Sequence, residues 1–174
     1  MSSKDVVEIY ELLSRFGVHI WVDGGWGVDA LLGKQTRSHK DLDIAVEAKD
    51  VLMLRRLLAS RSFEEIKLDE AKLHNFVLGD AAGREVDVHV IVLDENGNGI
   101  YGPIEDGLMY PAPSLTGMGT IDGTPVRCIS PEWVVKFHSG YALKEKDLQD
   151  VSAICERFGI ELPGRFRYMK PDTN

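Results

Sequence analysis

The chain has 174 residues, 44% apolar and 28% charged, with 20 Lys and Arg against 28 Asp and Glu, for a formal net charge of −8. That is enough chain for one domain with a core of its own. The acidity argues against a partner held by phosphate neutralisation, such as DNA or RNA, and suits a cationic small molecule or a plain solvated surface.

No apolar run approaches the ~20 residues that cross a membrane, and the first residues lack the apolar stretch of a signal peptide. Two distant cysteines, Cys128 and Cys155, suit a reducing cytoplasm. Val6, Val7, Ile9, Tyr10, Leu12, Leu13 and Phe16 recur at helical spacing and predict a helix over residues 4–16, stopped by Gly17. His19–Val22 reads as a short strand, Gly24–Gly25 as a turn, and Trp26–Leu32 as a helix ended by Gly33. The polar loop 34–40 carries Arg37, His39 and Lys40. Asp41–Glu47 alternates and predicts a strand. Val51, Leu52, Leu54, Leu57 and Leu58 then form the stripe of a helix over 49–61.

Strands are expected at 63–68, 73–79 and 84–93, with a turn at 94–99 and a return arm at 100–104. Glycine and proline make 105–119 a loop. A hairpin over 119–129 turns at Asp122–Gly123, and helices follow near 131–141 and 144–158. The last ~10 residues read as a tail. The order implies an α+β fold, a mixed β-sheet flanked by helices with a helical C-terminal part.

Chemistry concentrates in the first half. In a strand, residues two apart share a face, so Asp41 and Asp43 project together while Leu42, Ile44 and Val46 face the core. Two such carboxylates repel unless a cation lies between them, and a hard divalent ion is the natural answer. The second strand repeats the pattern: Val86, Val88, Val90 and Val92 on one face, Asp87 and His89 on the other. If the two strands are neighbours, three carboxylates meet, which suits two-metal phosphoryl transfer. Asp87 is then a metal ligand, the acceptor of a hydroxyl proton, or both. Gly24 and Gly25 before a helix let a phosphate approach the backbone; Asp23 belongs to that turn or caps the helix. Arg37, His39 and Lys40 stand ready to neutralise triphosphate charge, or form a solvated loop.

Together, residues 21–33 (WVDGGWGVDALLG), 36–44 (TRSHKDLDI), 86–89 (VDVH), 125–130 and 137–141 (FHSGY) resemble the antibiotic nucleotidyltransferases of the polymerase-beta superfamily. The resemblance is greatest to the small lincosamide nucleotidyltransferases, then to the aminoglycoside 2″-adenylyltransferases, and covers roughly residues 8–155. It implies a nucleotidyltransferase fold, with residues 1–104 as catalytic core and 105–174 completing the acceptor site within one compact unit. It implies Mg²⁺, as two ions, on Asp41, Asp43 and Asp87. It places the triphosphate of ATP or another nucleoside triphosphate on Gly24 and Gly25, helped by Arg37 and His39. It assigns His89, His138 and Tyr141 to a small hydroxylated acceptor.

The Gly-Gly pair stands where much of the superfamily has glycine–serine, so backbone N–H groups carry more of the phosphate contact. The implied activity is transfer of AMP to a hydroxyl of a lincosamide, or else of an aminoglycoside. Other readings are a target hydroxyl on a protein, and a non-enzymatic binding or antitoxin module. A homodimer is expected, because so short a chain has little surface to enclose a large acceptor.

Some motifs are bland. Asp94, Asn96, Asn98, Gly99 and Glu105 fit the spacing of a calcium-binding EF-hand loop, but a strand leads in and Pro103 interrupts, so a hairpin turn is expected. Lys144 and Lys146 read as helix-surface charges within reach of phosphate. Trp26 reads as packing, and Cys128 and Cys155 as core residues.

Overall fold

The structure is a computed structural model that describes residues 1–66, 74–138 and 144–167. Helix α1 (Ser3–Arg15) starts at a capping box. The Ser2 hydroxyl accepts from the Asp5 N–H, and the Asp5 carboxylate takes the Ser2 N–H in return. The helix buries Val6, Ile9 and Leu13 and packs beside α3 (Val51–Ala59). Strand β1 (Ile20–Val22) leads into α2 (Gly24–Leu32), which starts at the glycine pair itself, capped by Asp23 and ended by Gly33 in the left-handed conformation. The predicted Gly24–Gly25 turn is therefore the first turn of a helix.

Strands β2 (Asp41–Glu47), β3 (Glu64–Ile66), β4 (Asn75–Gly79), β5 (Glu85–Leu93), β8 (Gly117–Ile121) and β9 (Thr124–Cys128) join β1 in one mixed sheet, ordered β3-β4-β5-β2-β1-β9-β8. β2 runs parallel to β5, β1 parallel to β9, and the other neighbours are antiparallel. β6 (Gly99–Tyr101) pairs with the far half of β5, and β7 (Met109–Tyr110) pairs with β6. The turn between β8 and β9 holds Asp122 and Gly123 at positive φ, as a two-residue hairpin requires.

The segment expected as a loop, 105–119, contains β7 and a one-turn helix at 112–116 before β8 begins. Beyond the sheet, α4 (Pro131–His138) and α5 (Glu145–Phe158) pack on each other and on α2, and α6 (Gly164–Arg167) ends the described chain.

The core is shared. Leu42, Ile44, Val86 and Val88 of the central strands are fully buried, and so are Val126, Ile129, Val151 and Ile154 from the C-terminal half. One apolar face does not run the whole length of β5: Val92 is 59% exposed while its neighbour Ile91 is fully buried. Past Val90 the strand changes partner from β4 to β6, and its inward face changes with it. No helix among the described residues is long and apolar enough to cross a membrane.

Candidate active site

The parallel register of β2 and β5 sets Asp43 opposite Asp87, Asp41 opposite Glu85, and Ala45 opposite His89. Alternation then puts Asp41, Asp43, Asp87 and His89 on one face, with the buried Leu42, Ile44, Val86 and Val88 on the other. β1 adds a fourth carboxylate. Asp23 follows it directly, donates its N–H to the Asp43 carbonyl at 2.9 Å, and accepts the Gly24 N–H at 2.8 Å.

One ligand atom from each of Asp43, Asp87 and His89 lies within 4.8 Å of the others. Asp41 acts on Asp43 and Asp87 through its charge without joining that trio; the third place is taken by His89. Burial, then the charges of Asp41, Asp23 and Asp87, push the Asp43 carboxyl up to about 7, against the pull of Lys146. Burial likewise raises Asp87, opposed by His89 and reinforced by Asp41 and Asp23. Asp87 Oδ1 is buried with no hydrogen-bond partner. A buried acceptor without a donor, beside carboxylates whose charged forms are penalised, fits a hard divalent cation with oxygen ligands.

The two glycines are there because side chains press against them. A Cβ on Gly24 would meet the Asp43 carboxylate; one on Gly25 would lie 2.3 Å from His39 Nδ1 and 2.7 Å from Arg37 Nη2. Arg37 reaches the cleft from a buried anchor, its Nε and Nη2 donating to the two oxygens of Asp150 on α5 at 3.2 and 2.7 Å. His39 sits behind Gly25, with 3% of its side chain exposed. It faces Trp26 and places Nε2 2.5 Å from Asp29, which also accepts from the Thr36 N–H and hydroxyl. His39 thus packs against Gly25 in the first turn of α2.

These groups open on a cleft of about 420 Å³. Asp23, Asp43, His89, Arg37 and Lys146 are among its polar lining, and Tyr101, Leu108, Met109, Tyr110 and Phe137 give it an apolar wall. His138 also lines it, with Nδ1 donating to the Val134 carbonyl at 2.8 Å. Tyr141 lies outside the described residues. Sequence reasoning missed the aromatic and aliphatic wall, because Tyr101, Leu108, Met109 and Tyr110 sit in a Gly- and Pro-rich stretch with no periodicity to mark an inward face. It left Lys146 among surface charges; the first turn of α5 turns it toward Asp43.

The EF-hand spacing resolves as a hairpin turn. Asp94 accepts from the backbone N–H of Asn96 and Asn98 and from the Asn98 side chain, so its oxygens are engaged within the turn.

Comparison with known proteins adds the lineage of this geometry. The profile of the aminoglycoside-2″-adenylyltransferase family matches residues 5–154. A lincosamide resistance protein of Staphylococcus haemolyticus is 30% identical over 152 residues, spanning 87% of this chain and 92% of its own. A 2″-aminoglycoside nucleotidyltransferase of Escherichia coli is 29% identical over 72 residues, 38% of this chain and 41% of that one. Among solved structures, the lincosamide antibiotic adenylyltransferase LnuA with lincomycin bound superposes with a TM-score of 0.72 at 26% identity, covering 88% of this chain and 96% of LnuA. ANT(2″)-Ia in complex with adenylyl-2″-tobramycin shares the fold, with a TM-score of 0.70 at 19% identity over 95% of this chain and 96% of that one.

Proposed function

The chain belongs to the aminoglycoside-2″-adenylyltransferase family, and from that premise we propose that it transfers AMP from ATP to a hydroxyl of a small antibiotic, a lincosamide first. The observation that carries this reading is the meeting of Asp43, Asp87 and His89 beside a cleft that Gly24, Gly25 and Arg37 also line. Asp43 and Asp87, with Asp41 beside them, would hold Mg²⁺, which supplies positive charge to the triphosphate. The N-terminus of α2 and Arg37 bind the phosphates; the free N–H groups and the guanidinium suit oxyanions. The acceptor hydroxyl lies against the Asp87–His89 face and attacks the α-phosphorus in line, and pyrophosphate leaves toward Arg37 and Lys146. Asp87 and His89 are the two groups on that face able to receive the hydroxyl hydrogen.

The wall of Leu108, Met109, Tyr101 and Phe137 favours a lincosamide. A partly apolar acceptor gains by covering it, whereas a polycation finds nothing there to neutralise. The family match and the carboxylates of Asp23, Asp43 and Asp147 around the cleft support an aminoglycoside as the second reading. Mass spectrometry after incubation with ATP, Mg²⁺ and a panel of both classes separates them. A gain of one AMP on a lincosamide is the expected result; a gain on aminoglycosides alone moves the acceptor, and no gain on any member removes the antibiotic reading.

A further inference from the structure

Tyr110 stands between two groups that face the cleft. Its hydroxyl is 2.9 Å from Asp23 Oδ2 and 2.6 Å from His89 Nδ1. The residue is 7% exposed, and burial together with Asp23 pushes its hydroxyl well above the ordinary phenol range, so it keeps its hydrogen. Asp23 is held as an acceptor: its other oxygen already takes the Gly24 N–H as the cap of α2. A carboxylate offers no hydrogen, so Tyr110 must donate to Asp23. Having one hydrogen, Tyr110 can then only accept from His89, which requires the hydrogen on Nδ1. In the neutral ring this leaves Nε2 bare.

Bare Nε2 lies 3.7 Å from Asp87 Oδ1, beyond hydrogen-bond distance, and Oδ1 is the buried oxygen that has no donor. The two atoms share one deficit: neither has a hydrogen to give the other.

We propose that Tyr110, anchored on Asp23, is a positioning residue that fixes His89, which lines the cleft, in the Nδ1–H tautomer and so leaves Nε2 and the neighbouring Asp87 Oδ1 as a pair of bare acceptors. The pair takes an electropositive occupant, a divalent cation or the hydroxyl hydrogen of the acceptor substrate. The same cap that frames the phosphate site thereby sets the hydrogen-bonding polarity of the acceptor site. This deepens the nucleotidyltransferase reading, but the tautomer is a property of the resting protein and is measured without turnover.

The test is long-range ¹H–¹⁵N correlation of histidine-labelled protein at about pH 8, above the ordinary histidine range. The chain has five histidines, and loss of one set in His89→Gln assigns the residue. The wild type should show a protonated Nδ1 and an unprotonated Nε2. Tyr110→Phe should lose that bias. Asp23→Asn should reverse it: Asn still caps α2, and its amide donates to Tyr110, which then donates to Nδ1. Adding Mg²⁺ alone, or a lincosamide alone, should move the Nε2 resonance and so show which occupant the pair takes.

In turnover, kcat of Tyr110→Phe should fall about 10- to 100-fold with KM for ATP unchanged, the usual size of losing an outer hydrogen-bond partner. An Nε2–H or doubly protonated His89 in the wild type overturns the proposal. So does a tautomer unchanged in both variants, or a shifted tautomer with unchanged kcat. If Tyr110→Phe does not fold, Asp23→Asn decides.

Discussion

A β-carbon on Gly24 would sit 2.0 Å from Oδ2 of Asp43, so the start of α2 and the acidic face of β2 meet only because residue 24 has no side chain. Gly24 also has φ of +54°, which disfavours any L side chain. Gly24→Ala is therefore expected to push Asp43 away from Asp87 and to destabilise the fold by about 1–3 kcal/mol through overpacking and backbone strain. Urea unfolding measures the second effect. A variant of wild-type stability and rate would show that the two groups do not depend on this contact.

Asp43 titrates near 7 in the folded chain against 3.8 for an ordinary Asp. Between those values the native state binds more protons than the unfolded one, so the metal-free protein should lose stability as pH rises through that window and level off above about 7. Asp43→Asn should flatten the profile and, without metal at about pH 8, melt several °C above the wild type. The same variant should lose at least about 100-fold in turnover, more than an outer partner costs. Mg²⁺ should raise the melting temperature of the wild type more than that of the variant. Calorimetric scans across pH, with and without Mg²⁺, check each arm; a variant that melts lower than the metal-free wild type at that pH would contradict the crowding of carboxylates.

Arg37 and Asp150 are 113 residues apart and form a two-pronged pair in which Asp150 is 3% exposed. Asp150→Ala leaves the guanidinium without its anchor. Its expected cost is about 2–3 kcal/mol in stability, because one member of a charged, hydrogen-bonded pair is removed. KM for ATP should rise as Arg37 loses its aim at the cleft. Should ATP affinity by calorimetry stay at the wild-type value, Arg37 would have no part in holding the triphosphate.

Leu108 and Met109 are 48% and 44% exposed at the cleft wall. If a lincosamide covers them, Leu108→Ser should raise its KM about 10-fold, the value of burying most of one leucine. KM for ATP should hold, since the phosphates are assigned to Gly24, Gly25 and Arg37. Equal increases for both substrates would mean that the substitution disturbs the cleft as a whole.

The acidic pattern was legible in the sequence because strand alternation is local. Asp41-Leu42-Asp43 and Asp87-Val88-His89 announce a polar face and a core face without any knowledge of the neighbours. The helix limit at Gly33 was similarly close to hand, since capping acts within a few residues. His39 was visible as a loop cation, but its burial against Asp29 was not, because nothing local distinguishes a loop that folds inward from one that stays in water.

By itself, then, the sequence determined the mixed fold, the strands that carry carboxylates and the nucleotidyltransferase lineage. Only the tertiary structure decided that Asp43 lies opposite Asp87 and that His89 completes their cluster. It alone brings Tyr110, on a two-residue strand, between Asp23 and His89. Face alternation and capping are set within a few residues of chain. Register, and the placing of an aperiodic segment, are set by hydrogen bonds and packing between segments far apart in sequence.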